Sequence, residues 1–192
     1  MPFFLGGYMR KNNLILKITL SGMLIALGLV LPFLTGQIPE IGAMLCPMHI
    51  PVLIGGFILG WKYGLIIGII TPILRSFSFG MPPLYPAAIS FAFEFAVYGL
   101  STGLLSKVLE KVIKNKWILT YIVLIIAMIL GRITWGGIRY LLALLDGSFN
   151  FNLEMFISGA FISAWPGIIL QLILIPIIYI SLNNANIIEK IK

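Results

Sequence analysis

The chain has 192 residues, of which 60% are hydrophobic and 10% are charged, with a formal net charge of +7 and a mean hydropathy of +1.08. This composition excludes an ordinary soluble domain, and residues 1–192 are expected to form a single membrane domain. Its one cysteine, Cys46, excludes an internal disulfide and a cysteine-based metal cluster. Because the period-2 alternation of a barrel is absent, we expect an all-α integral membrane bundle.

Hydrophobic stretches of about 20 residues predict transmembrane helices, because the hydrocarbon core is about 30 Å thick. Six such spans are predicted in chain order, at residues 14–34, 47–60, 63–80, 86–105, 117–145 and 153–182. The first lacks an A-x-A cleavage pattern, so it is interpreted as a retained span and not as a signal peptide. The sixth is long and contains Pro166 and Pro176, at which kinks are expected.

Basic residues of the loops and chain ends fall on one side of this predicted bundle. They are Arg10, Lys11, Lys17, Lys62, Lys107, Lys111, Lys114, Lys116, Lys190 and Lys192. The opposite loops carry only the acidic residues Glu40, Asp146 and Glu154. By the positive-inside rule both termini are predicted to be cytoplasmic. The basic excess therefore reflects topology, and no nucleic-acid partner is implied.

Four charged residues lie well inside the predicted spans, namely Arg75, Glu94, Arg132 and Arg139, whereas Lys17 and Glu154 lie within four residues of a span end. A charge at the bilayer centre costs about 3 kcal/mol or more, so it persists where it faces the bundle interior, a partner or a ligand. A rise of about 1.5 Å per helical residue places all four in the outer half of the bundle. The spacing i, i+3, i+4, i+7 places Arg132, Trp135, Gly136 and Arg139 on one helix face, with Gly136 as a gap for a ligand.

Three arginines against one glutamate leave positive charge uncompensated. Guanidinium pairs bidentately with carboxylate or phosphate, so this surplus predicts a pocket for an anionic ligand group. Two other interpretations stay open. Arg139 could snorkel to the outer headgroups, and Glu94 could serve only to neutralise Arg75 or Arg132.

Two outer loops, residues 35–51 and 78–86, are rich in Pro and Gly and nearly uncharged. That composition favours ordered lids over solvated linkers. His49 lies where the first loop enters span two, and it is either a structural donor or a ligand contact. No second histidine is present, so a metal site is not predicted.

Small residues mark several predicted spans. Gly22 and Ala26 form a small-xxx-small pair in S-G-M-L-I-A-L-G of span one, which allows a second helix to approach closely in lipid. Internal packing is expected to account for most of the glycines of spans two and three, which are Gly55, Gly56, Gly60, Gly64 and Gly68.

The motifs of an energy source and of common enzymes are absent. The sequence contains no G-x-x-x-x-G-K-[ST] loop, no H-E-x-x-H, no G-x-S-x-G and no Cys–His catalytic pair. Inverted repeats typical of a stand-alone secondary transporter are not visible. The small size and the predicted outer pocket therefore indicate a capture subunit that needs partner proteins. Neither enzymatic activity nor a cofactor is predicted.

The segment of residues 48–86 contains P-V-L-I-G-G, then G-W-K-Y-G, then G-M-P-P, and F-E-F-A-V-Y-G-L-S-T-G-L-L follows shortly after. It resembles spans two to four of the substrate-binding S component of energy-coupling factor (ECF) transporters, the bacterial vitamin uptake systems. The resemblance covers nearly the whole chain. S-G-M-L-I-A-L-G resembles the A-x-x-x-A contact motif of that family, although Gly22 replaces the first alanine.

This resemblance implies a mechanism. An S component binds a vitamin from outside, under a loop-one lid and between spans four to six. It then docks through helix one onto a transmembrane coupling subunit driven by two ATPases, and it topples in the plasma membrane of the bacterial cell. Gly22 and Ala26 would lie at the docking surface.

The resemblance also implies site residues. Glu94, Arg132, Trp135 and Arg139 match the expected pocket by position, and His49 and Tyr85 would contribute from the loops. Arg75 lies on a less usual pocket wall, so it is either a ligand contact or structural.

The substrate class stays open at this point. Surplus positive charge favours a carboxylate-bearing vitamin, with pantothenate first, whereas Trp135, Trp165 and Phe93 could stack on a flat ring of a pyridoxine-like or hydroxymethylpyrimidine compound. Two other classes are a membrane-embedded enzyme using Glu94 and His49, and a structural membrane protein whose charges pair internally.

Overall fold

The computed structural model describes residues 2–35, 38–147 and 149–191, and for residues 2–12, 35, 39 and 43 it describes the backbone only. Among the features used above, the side chains of Arg10 and Lys11, the loop residues Gly36 and Gln37, and Lys192 lie outside this description.

All regular structure in the described residues is helical, which confirms the expected all-α class. The helices are α1 Pro2–Val30, α2 Pro39–Leu45, α3 His49–Leu59, α4 Trp61–Phe79, α5 Ile89–Leu109, α6 Lys116–Asp146, α7 Leu153–Ile157, α8 Trp165–Asn184 and α9 Ile187–Ile191. A 3₁₀ turn covers Leu31–Thr35, and π-helical turns cover Leu84–Ala88 and Ser158–Ile162, the first of them interrupted by the extended backbone of Tyr85 (φ −112°, ψ 135°).

Within the described residues, four helical segments are long and apolar enough to cross a membrane. They are Asn13–Leu34, Leu84–Leu109, Lys116–Asp146 and Trp165–Asn184, and two shorter apolar helices cover His49–Leu59 and Leu153–Ile162. Predicted spans two and three correspond to α3 and α4, which have 11 and 19 residues. The count of six spans and the cytoplasmic position of the termini stay predictions.

Capping residues account for several helix ends. The side chain of Asn115 accepts hydrogen bonds from two backbone N–H groups in the first turn of α6, as preferred N-cap residues do. Gly80 and Gly147 follow α4 and α6 with φ of 68° and 64°. That left-handed backbone is accessible to glycine without steric cost, so these helices end where the sequence supplies glycine.

The predicted sixth span is not one continuous helix. It is divided into α7, the second π-helical turn and α8, with a turn at Ser163 and Ala164. Pro166 lies in the first turn of α8, where the missing N–H of proline costs no helical hydrogen bond. Pro166 therefore begins a new helix and does not kink an existing one, whereas Pro176 lies inside α8 without ending it.

Glycines allow α4 and α5 to approach each other backbone to backbone. A Cβ built on Gly64 would lie 2.5 Å from the carbonyl oxygen of Gly99, and one built on Gly68 would lie 2.6 Å from the backbone nitrogen of Ala96. Internal packing thus accounts for these glycines, because small residues allow membrane helices to approach each other closely. Gly60 differs, because open space surrounds it and its φ of 88° forms the turn between α3 and α4.

We expect Gly99→Ala to destabilise the bundle by about 1–3 kcal/mol, because the added methyl group overlaps the backbone of α4. Thermal unfolding of the detergent-solubilised protein, followed by circular dichroism, measures this loss. Gly137→Ala on α6 is the matched control, since a Cβ at Gly137 meets nothing within 4 Å. Equal melting temperatures for the two variants would contradict the close contact.

Candidate ligand-binding site

A cavity of about 380 Å³ lies at the end of the bundle where α1 and α4 finish and α3 begins. Its wall is mainly apolar and includes Met48, Phe91, Phe95 and Pro82. Ile38, next to the start of α2, and Gly42, within α2, also line it. This short helix thus forms part of the cavity wall and connects the end of α1 to α3.

The cavity brings together most of the candidate residues of the sequence. His49, Arg75, Arg132, Trp135 and Arg139 line it. Their side chains come from three separate helices, α3, α4 and α6. Glu94 and Tyr85, the two remaining candidates, are not among the lining residues.

Helix α6 presents Arg132, Trp135 and Arg139 to the cavity on one face. The Arg139 guanidinium lies 5.6 Å from the centroid of the Trp135 ring, a favourable cation–π distance. The surface of α6 at Gly136 is covered by Phe156 of α7, since a Cβ on Gly136 would overlap the Phe156 ring. The gap expected at Gly136 is therefore occupied by an aromatic ring of the protein itself.

Glu94 lies behind the cavity wall and is fully buried, with 0% exposure. Its Oε1 is 3.3 Å from Nη1 of Arg132 and 3.5 Å from Nε2 of His49. The same oxygen accepts a 2.8 Å hydrogen bond from the Tyr98 hydroxyl. This carboxylate therefore balances the charge of Arg132 and lies beside His49 behind the cavity wall.

His49 and Cys46 complete the surroundings of Arg132. The His49 ring packs against Phe95, with centroids 4.5 Å apart. Cys46 ends α2 with φ of 47°, and its Sγ accepts a hydrogen bond from Nη2 of Arg132 at 3.5 Å. Helices α2 and α6 are thus joined at the cavity wall.

Arg75 has a different environment, although it is also buried, with 3% exposure. Its guanidinium donates a hydrogen bond to the carbonyl oxygen of Leu29, near the end of α1. The rings of Phe33 and Phe79 lie 5.3 and 5.2 Å from the guanidinium carbon. Arg75 therefore both lines the cavity and ties α1 to α4.

Tyr85 lies at the surface, in the first π-helical turn. Its hydroxyl donates a 3.3 Å hydrogen bond to the carbonyl oxygen of Leu142, and its ring lies 6.3 Å from that of Phe149. In this structure Tyr85 connects α5 to the end of α6 and does not line the cavity.

Buried donors on the cavity wall lack protein acceptors. Among the described residues, Nε of Arg132, Nε1 of Trp135 and Nε of Arg139 form no hydrogen bond. Buried polar groups are nearly always hydrogen-bonded. This wall is therefore suited to a ligand rich in acceptor oxygens.

Some site residues were missed from the sequence. Tyr98 is one helical turn beyond Glu94, and this i, i+4 spacing could have revealed the pair. Nothing in the sequence pattern indicated that Cys46 would contact Arg132. Within the described residues no group of three potential metal-ligating side chains comes together.

One comparison with known proteins gives a match. The family model of the ECF transporter, substrate-specific component, matches residues 16–179. The matched range begins within α1 and ends within α8, so it includes all residues that line the cavity. No curated protein and no solved structure matches the chain.

Proposed function

Because the chain belongs to the family of substrate-specific components of ECF transporters, which capture substrate for import and are not enzymes, we propose that it binds an anionic water-soluble vitamin or related micronutrient. Pantothenate is the first candidate. The observation that supports an anion is the cavity wall, where Arg75, Arg132 and Arg139 meet and no carboxylate is found among the described lining residues. Guanidinium groups pair well with carboxylate and phosphate oxygens.

A flat-ring vitamin is the second candidate. Trp135 lines the cavity with a buried, unpartnered indole nitrogen, and such a ring can stack on an aromatic ligand while donating a hydrogen bond. Trp165 and Phe93 give less support, because they are largely exposed and do not line the cavity. A flat ring that carries an anionic substituent could both stack on Trp135 and pair with the arginines of the cavity.

The family supplies the wider setting of this proposal. We infer six membrane spans with both termini in the cytoplasm, so that the cavity faces the outside of a bacterial plasma membrane. Import would then depend on a transmembrane coupling subunit and two ATPases. Gly22 and Ala26 support docking through α1, because both are exposed on the described surface of that helix.

Helix α2 is proposed to act as the lid. It packs on the start of α8, where a Cβ on Gly167 would lie 2.6 Å from the Met44 carbonyl oxygen and 2.7 Å from the Leu45 carbonyl carbon. A side chain at Gly167 would therefore push α2 away from the bundle. Because Ile38 and Gly42 line the cavity, this displacement would open it.

We expect Gly167→Ala to accelerate ligand release about tenfold, since interface changes act mainly on dissociation rates. Stopped-flow dissociation of a bound vitamin in detergent measures the rate. Gly137→Ala, the same substitution in open space, should leave the rate unchanged. A Gly167→Ala rate equal to that of the parent protein would rule out α2 as the lid.

Mass spectrometry of small molecules released from the purified protein tests the proposed function directly. The protein is expressed in cells grown in rich medium and purified in detergent. A stoichiometric vitamin or related micronutrient is expected, with an acidic group on it. A protein that is empty, and that then binds no member of a vitamin panel by calorimetry, would favour the structural-protein interpretation instead.

A further inference from the structure

The charge balance of the cavity assigns different roles to its three arginines. The charge of Arg132 is already compensated, because its Nη1 lies 3.3 Å from the buried Glu94 carboxylate. No ion pair is found for Arg75 or Arg139 among the described residues. Within the described part of the chain, these two cations that face one cavity therefore have no counter-charge.

Neutral contacts stabilise Arg75 without cancelling its charge. Its hydrogen-bond acceptor is the Leu29 carbonyl oxygen, and its other neighbours are the faces of Phe33 and Phe79. Such cation–π contacts are weaker than an ion pair in a desolvated site. A guanidinium with 3% exposure thus remains a strong electrostatic attractor for an anion in the cavity.

Arg139 is the second uncompensated cation. It lies seven residues beyond Arg132 on α6, about 10 Å further along the helix axis. Its described contact is the neutral ring of Trp135, and its Nε forms no hydrogen bond. Arg139 and Arg75 line the same cavity from different helices.

We propose that the ligand carries two negative charges, as a phosphate monoester or a dicarboxylate, and that Arg75 and Arg139 balance these two charges. This inference rests on the proposed capture function, and within the anionic class it favours a doubly charged ligand over pantothenate, which carries only one carboxylate. A single carboxylate would neutralise one of these two cations and leave the other unpaired. A dianion would bring the cavity to neutrality and offer acceptor oxygens to the unpartnered donors of Arg132 and Trp135.

Calorimetry with two matched ligand pairs tests this proposal at about pH 8, where a phosphate monoester is doubly charged. The first pair is pyridoxine 5′-phosphate and its monomethyl phosphodiester, and the second is adipate and monomethyl adipate. Within each pair, size is nearly constant while one charge is removed. In at least one pair we expect the dianion to bind about tenfold or more tightly than the monoanion. The pair that shows this preference distinguishes one doubly charged group from two separated carboxylates.

Arginine variants test whether Arg75 and Arg139 cause the preference for the dianion. Arg75→Gln and Arg139→Gln should each reduce the ratio of the two affinities to about threefold or less. Lys62→Gln, which removes one exposed charge outside the cavity, should leave the ratio unchanged. Arg75→Lys retains the charge and should restore most of the ratio, which a merely structural role of Arg75 would not predict. Circular dichroism melts verify that each variant is folded.

Equal affinities within both pairs, no binding of any of the four probes, or an unchanged ratio in both glutamine variants would overturn the proposal. These results differ from failure of the proposed function. If a vitamin with a single negative charge copurifies and binds tightly, capture stands and the dianion assignment is wrong. If no vitamin binds at all, the capture function itself fails.

Discussion

Replacement of Arg132 by methionine is expected to lower both the stability of the bundle and its affinity for the ligand. The substitution leaves the Glu94 carboxylate buried without its cation, and removal of one partner from a buried ion pair costs about 3–5 kcal/mol. Ligand affinity should fall by about 30-fold, corresponding to about 2 kcal/mol, because a buried charged donor on the cavity wall is lost. Thermal melting and calorimetry measure the two effects.

The double variant Arg132→Met with Glu94→Gln separates these effects. Its two neutral side chains remove the uncompensated charge, so most of the stability should return. Glutamine can still accept the hydrogen bond of Tyr98, whose hydroxyl lies 2.8 Å from Glu94 Oε1. Ligand affinity should stay low, since the cavity still lacks the guanidinium of Arg132. Ligand affinity equal to that of the parent protein in either variant would exclude Arg132 as a ligand-binding residue.

The second large effect is expected on α1. Gly22→Leu combined with Ala26→Leu should abolish vitamin uptake in cells while leaving ligand affinity of the purified chain unchanged. Gly22 and Ala26 are exposed, and a Cβ at Gly22 meets nothing within 4 Å. Bulky side chains would therefore leave the internal packing intact and obstruct a helix that docks against this face.

A matched control is available on α6. Gly137 is also an exposed helical glycine with open space around it, so Gly137→Leu makes the same change as Gly22→Leu on another face. Uptake by this variant should equal that of the parent chain. Normal uptake by the α1 double variant, with the protein present in the membrane at parent level, would exclude the proposed docking surface.

The long hydrophobic stretches made much of the fold predictable. The fifth span was predicted at residues 117–145, and α6 runs from Lys116 to Asp146, because an apolar run ended by Gly147 leaves little choice. The division of the sixth span was not predicted. A proline within an apolar run reads as a kink in one helix or as the first turn of a new one, and only packing decides between them.

For the site, too, features set by the local sequence were predictable, whereas features set by packing between distant segments were not. The helical period placed Arg132, Trp135 and Arg139 on one face, and the structure places all three at the cavity. Whether Glu94 lines the cavity or lies behind it depends on how α5 is rotated against α6. That rotation is set by packing between distant segments, and the spacing of charges along a sequence does not report it.

The contact between Cys46 and Arg132 gives the chain an intrinsic chemical reporter. Cys46 is the only cysteine of the sequence, it is buried, and it lines the cavity at the end of α2, the proposed lid. A maleimide reagent would reach its sulfur only when the cavity is open and empty. The alkylation rate of the unmodified protein would then follow lid opening, and its decrease with added vitamin would titrate occupancy without an engineered label.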